Sequence, residues 1–224
     1  MFSRFSHILN RSTAGELLYN TKHLSGNVGL KHPLKVLVSL DGCVADSEDY
    51  FLREYRRRYP LEPYVRVEER QKIPLAHQYG RLRPDLVQHV ESILKTPGFY
   101  VKMAPITGAI QALTEMQNNE QLDVYIMVCP IQNSPKALHE KFQWIKTHLG
   151  QVFLEHLIVV KDNYMIQADV HFSRKESNEG NTFSLEATRI SGNLKTDFAW
   201  TDDTWRNILR MKDKEIIKNA RVEQ

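Results

Sequence analysis

Cysteine is scarce in this chain, with Cys43 and Cys129 the only two among 224 residues. Two thiols this far apart make neither a disulfide framework nor a zinc site, which points to a reducing compartment. Long hydrophobic runs are missing too. The longest, residues 124–130 and 156–160, suit buried strands and fall far short of a membrane helix, so no membrane span is expected. Charge of one sign does not dominate either: 30 Lys and Arg stand against 27 Asp and Glu, a net charge of +3. The basic residues are spread without a stripe, so nothing calls for nucleic acid. Their densest cluster, Arg56, Arg57 and Arg58, reads as the solvated face of a helix.

Acid is nearly absent from one stretch, where Glu16 is the only carboxylate among the first 26 residues beside Arg4, Arg11, Lys22 and three early serines. Phe2, Phe5 and Leu9 share one face at helical spacing, opposite Arg4 and Arg11. An amphipathic, Arg- and Ser-rich, acid-poor start is the pattern of a mitochondrial transit segment. A mitochondrial matrix location follows as the expectation, with the cytoplasm as the alternative, and residues 1–31 are set apart from the fold as a transit or disordered segment.

What remains is long enough for one core and a small accessory module. The apolar run KVLVSL from Lys35 ends in DGCVAD, as a buried parallel strand delivers polar groups at its carboxyl end. Further runs lie at 123–129, 156–160, 168–172 and 197–200, with helical patterns between them at 108–117, 134–149 and 204–218. This alternation predicts an α/β fold with an open parallel sheet whose ligands bind at the carboxyl ends of the strands. The stretch 47–102 interrupts it and reads as a helical cap inserted after the first strand, leaving 32–46 and 103–218 as the core. Residues 176–193 read as a polar loop. The aromatics Tyr64, Tyr79, Phe99 and Tyr100 are either the core of the cap or a stacking surface for a nucleobase.

The strand running into D-G-x-x-A-D resembles the haloacid-dehalogenase superfamily. The runs HQYGRLRPDL (77–86), PGFY (97–100), APITGA (104–109), VYIMVCP (124–130), EKFQWIKTHLG (140–150), FLEHLIVVKD (153–162) and WTDDTWRNIL (200–209) resemble its 5'(3')-deoxyribonucleotidases. The resemblance covers about residues 35–210. It implies a Rossmann-like core, dephosphorylation of deoxyribonucleoside monophosphates with uracil or thymine bases, Mg²⁺, an aspartyl-phosphate intermediate and a dimer. Tyr79, Phe99 and Tyr100 would then line the substrate pocket.

Against that family pattern the site is depleted. The first motif, D-x-D-G-x-x-A-D, is here Ser39-Leu40-Asp41-Gly42-Cys43-Val44-Ala45-Asp46, with serine in the nucleophile's place and Asp41 kept as the acid/base. A carboxylate there serves twice, attacking phosphorus and binding the metal, and a hydroxyl supplies neither an ionised nucleophile nor charge. The Thr-Ser pair that holds the phosphoryl group is Val128 and Cys129. Lys141 matches the phosphate-pairing lysine, and Gly42, in the loop from Asp41 to Cys43, is the other retained phosphate-binding position. The paired metal-binding aspartates are Ser173 and Arg174, a donor set poor in the hard oxygens Mg²⁺ requires. No cofactor is expected on this reading.

These losses predict a pseudoenzyme, not an enzyme, kept for binding a deoxynucleoside monophosphate or a protein partner or as a homodimer. The alternative is an active or residual nucleotidase. New chemistry would have to draw on Ser39, Cys129, Cys43 and His171, and a Ser39–His171 pair would need the imidazole within hydrogen-bond reach and a third group to orient it. Arg174 is expected either to reach Asp41 as a fixed counter-charge in place of the metal or to point into solvent.

Overall fold

The computed structural model describes residues 33–71, 73–131, 134–160, 166, 168–174, 185–189 and 194–211, with the backbone alone at 185–189 and 194–196. The proposed transit segment lies outside the described residues. Strand β1 (Leu34–Ser39) is central, and Val36, Leu37 and Val38 are buried on both of its faces, as a strand covered on both sides requires. It pairs in parallel with β2 (Leu122–Val128) on one side and β4 (Val170–Arg174) on the other, and β3 (Leu157–Val159) extends the parallel set beyond β2.

The expectation of a wholly parallel sheet holds for those four strands only. Strands β5 (Leu185–Arg189) and β6 (Leu194–Phe198) add on antiparallel, giving the order β3-β2-β1-β4-β5-β6. Strand β5 falls inside the stretch read as a polar loop, because its LEATR sequence has no apolar run to announce a strand. Backbone pairing to the edge of β4 makes it one.

Helices α1 (Ser47–Arg58), α2 (Leu75–Leu82) and α3 (Leu86–Leu94) follow β1, with short 3-10 turns at Val67–Glu69 and Tyr100–Lys102. Then come α4 (Ala109–Gln117), α5 (Pro135–His148), the single turn α6 (Val152–Glu155) and α7 over 204–211. The helix read as running to residue 218 is described only that far.

Helix α5 begins with proline at its first position, where no N–H is needed. It turns Ala137, Lys141, Trp144 and Ile145 inward, at the spacing of one helical stripe. Trp144 anchors it by donating from Nε1 to the Met103 carbonyl at 2.8 Å, and Glu140 accepts from the backbone N–H groups of Gly98 at 2.6 Å and Tyr100 at 3.1 Å.

The loop leaving β1 is held from several directions. The N–H groups of Val44 and Ala45 donate to the Leu40 carbonyl, that of Gly42 to the Ala45 carbonyl, and that of Ile106 to the Val44 carbonyl. Trp200 Nε1 reaches the Cys43 carbonyl at 2.7 Å. Gly42 turns through φ +69°, a left-handed conformation that costs glycine little.

Candidate active site

Five of the singled-out residues fall into two contacts: Ser39 with His171, and Lys141 with Asp41 and the Cys129 carbonyl. Lys141, 1% exposed, projects from the buried stripe of α5 and places Nζ 2.6 Å from Asp41 Oδ2 and 2.9 Å from the Cys129 carbonyl. Its ammonium also lies 4.8 Å from the centre of the Tyr100 ring. A helix lysine ordinarily lies in solvent. This one is buried because it occupies a core-facing position, and only a paired charge is tolerated there.

Ser39 is the last residue of β1 and half-buried, and His171 sits in the middle of β4. Leu37 lies opposite His171 in the parallel register, and side chains alternate along a strand, so Ser39, two residues on, shares that face. Ser39 Oγ is 2.9 Å from His171 Nε2.

Arg174 does not reach toward Asp41 as an ion-pair partner. Its guanidinium lies 3.4 Å from Glu48 and donates to the Gln71 carbonyl at 3.2 Å. Glu48 also takes Arg70, which is buried, at 2.6 Å. The Asp41 counter-charge is Lys141 instead. Arg174 leaves the end of β4 across Gly42, where a Cβ would come within 3.3 Å of its Cδ, and the nearest carboxylate on that path is in the first turn of α1. Glu48 and Arg70 escaped sequence reasoning, since a first-turn glutamate and a loop arginine carry no motif.

Other expected positions take structural duties. The Gly42 N–H is bonded within its own loop. Val128 is wholly buried in β2. Tyr79 packs against Phe51 and Tyr55, and Phe99 against Tyr50, so both lie in the hydrophobic core. Tyr100 is buried too but stays beside the cleft through Lys141. Burial, and then the negative charges of Asp41 and Glu140, push its phenol well above the ordinary value. Asp46 caps α1, accepting from the Asp49 N–H at 3.2 Å, and desolvation raises its carboxyl above the usual range.

The residues present do not fit Mg²⁺ as the resembled family would hold it. At the four family carboxylate positions stand two hydroxyls, a guanidinium and one carboxylate already bound to an ammonium. Among the described residues, no group of three or more His, Cys, Asp or Glu could hold a metal ion.

A protein-family model described as "5' nucleotidase, deoxy (Pyrimidine), cytosolic type C protein" matches residues 32–211. The chain belongs to the 5'(3')-deoxyribonucleotidase family. The human cytosolic 5'(3')-deoxyribonucleotidase is 37% identical over 66% of this chain and 73% of its own length. The human mitochondrial 5'(3')-deoxyribonucleotidase is 36% identical over 65% of each, so the matches span about two thirds of these relatives. Among solved structures, a haloacid-dehalogenase-like hydrolase from Burkholderia xenovorans matches at 14% identity over 58% of this chain and 62% of its own, with a TM-score of 0.28.

This family membership corrects the expectation that the chain is not an enzyme. The deoxyribonucleotidases it resembles are named for a catalytic activity. The serine in the nucleophile's place also has an imidazole at hydrogen-bond distance.

Proposed function

We propose that the chain is a nucleotidase of this family that takes pyrimidine deoxyribonucleoside monophosphates in the cleft at the ends of β1, β2 and β4, and does so without Mg²⁺. The observation that carries this reading is the buried Lys141 ammonium. Among the described residues two of its three donors go to Asp41 and the Cys129 carbonyl, and we assign the third to an anionic oxygen of the ligand. A dianion entering such a cleft meets a positive charge whose own carboxylate partner has already offset much of the burial cost. Arg174, beyond Gly42, adds positive potential at the same edge, where the family pattern has a metal-binding aspartate.

The test is stabilisation of the chain by deoxyuridine and thymidine monophosphates without added metal, together with phosphate release from each. A ligand that binds the native state raises its melting temperature. Neither stabilisation nor release with either nucleotide overturns the reading. For location, the basic, acid-poor start favours the mitochondrial matrix over the cytoplasm, and a reporter fused to residues 1–31 should lose mitochondrial import when Arg4 and Arg11 become glutamate.

A further inference from the structure

We propose that Ser39 is the nucleophile of this cleft and His171 its general base, so that the phosphoryl group passes through a phosphoserine. The inference rests on the phosphomonoester reading above, and the geometry adds what the sequence left open. A serine becomes a nucleophile when a base stands within hydrogen-bond reach, and Ser39 Oγ and His171 Nε2 are 2.9 Å apart. With its proton on Nδ1, the imidazole accepts from the hydroxyl.

Both groups sit on rigid elements. Ser39 ends the central strand and His171 lies within the adjacent one, so their separation is fixed by strand pairing and not by a loop. His171 is 7% exposed, which shields the proton path from water, while Ser39 keeps a half-buried position at the strand end. Two residues on from Ser39, Asp41 meets the Lys141 ammonium, which projects from α5, at 2.6 Å. Nucleophile and base are therefore in contact, and a fixed cation is held by the residue two along the chain from the nucleophile.

The charge of the cleft agrees with this route. A carboxylate nucleophile repels a dianionic phosphate and calls for a metal between them. A neutral hydroxyl does not, and the positions at which such a metal would be held carry Ser173 and Arg174 instead.

The step balances without a further co-reactant. As the Ser39 Oγ–phosphorus bond forms, the hydroxyl proton passes to His171 Nε2. The phosphorus–ester oxygen bond breaks, and the nucleoside oxygen leaves with the electron pair and takes a proton from water. The hydroxide so formed attacks the phosphoserine, inorganic phosphate departs, and the Ser39 oxygen recovers its proton from the imidazolium. The net change is ester plus water to alcohol plus phosphate.

The experiment uses the full chain with deoxyuridine monophosphate and, separately, p-nitrophenyl phosphate, which requires no recognition of a base. Phosphate release is followed, acid-quenched samples are searched by peptide mass spectrometry for phosphate on Ser39, and nucleotide-induced stabilisation is measured in parallel. The expected result is acid-stable phosphoserine at Ser39. Ser39→Ala should lose both the label and turnover while nucleotide stabilisation persists, and His171→Gln should slow release by ~10²- to 10⁴-fold.

Turnover of p-nitrophenyl phosphate but neither binding nor turnover of the nucleotide would uphold the nucleophile and overturn the nucleotide reading. Stabilisation by the nucleotide with no turnover of either ester would do the reverse. A Ser39→Ala chain that releases phosphate at the parent rate would overturn the assignment outright, leaving the 2.9 Å contact as a way of satisfying a buried imidazole.

Discussion

Lys141 shows how one side chain can hold a cleft together. Its ammonium bonds Asp41 and a backbone carbonyl from a position 1% exposed, whereas Asp41 keeps 31% exposure. Replacing it with methionine retains the apolar stem and removes the charge, leaving the carboxylate to water on one side and nothing on the other. The expected loss is about 3 kcal/mol, the low end for a broken buried pair because Asp41 is partly solvated. Urea unfolding should register it, and phosphate affinity should fall in the same variant. The two thiols differ in the opposite sense. Burial pushes the Cys43 thiol far above its ordinary value and seals it from reagent, while Cys129 is partly exposed. Iodoacetamide should therefore alkylate Cys129 in the folded chain and reach Cys43 only after unfolding; equal labelling of both in the native state would contradict the burial.

At the scale of elements, one helix start carries backbone strain and another a pH response. Helix α4 begins at Gly108, whose φ of +83° is left-handed, and a Cβ there would lie 2.8 Å from the Trp200 carbonyl oxygen. Gly108→Ala meets both penalties, the backbone cost and a backbone clash that no rotamer relieves, and should cost about 2 kcal/mol or more in denaturant midpoint. Helix α1 begins at Asp46, whose carboxyl desolvation holds above the value of 3.8 it has in water. The folded chain thus binds that proton more tightly than the unfolded chain. The resulting stability is present below 3.8 and is lost as pH rises through the raised folded value. Asp46→Asn keeps a good cap without the charge. It should melt higher than the parent at neutral pH, and the two curves should converge as pH falls below the carboxylate range.

For the whole molecule, the joint between the helical stretch after β1 and the sheet is electrostatic on one side. Glu48 of α1 holds Arg174 of β4 and the buried Arg70 at once. Arg174 stands at a position where the resembled family pattern has a metal-binding aspartate. The chain should accordingly melt at the same temperature in EDTA and in millimolar Mg²⁺, with nucleotide stabilisation alike in both. A Mg²⁺-dependent rise in melting temperature would show that the donor set still takes the ion.

Much of this was open to the sequence. The apolar run of β1 with its D-G-x-x-A-D exit, the alternation of strands and helices, and the ordered motifs to residue 209 determined the α/β fold and the family, because buried parallel strands and their loop residues leave a local signature. The depleted positions, Ser39, Ser173 and Arg174, were likewise plain to read. What Ser39 touches was not. Its contact with His171 spans 132 residues, and that of Lys141 with Asp41 spans 100, so neither appears in any local window. The partner of Arg174 was decided by the path its side chain takes across Gly42 to Glu48. The antiparallel β5 was decided by the free edge of β4 and not by its own residues. Local periodicity specifies elements; only strand register and helix packing bring distant polar groups within three ångströms of each other.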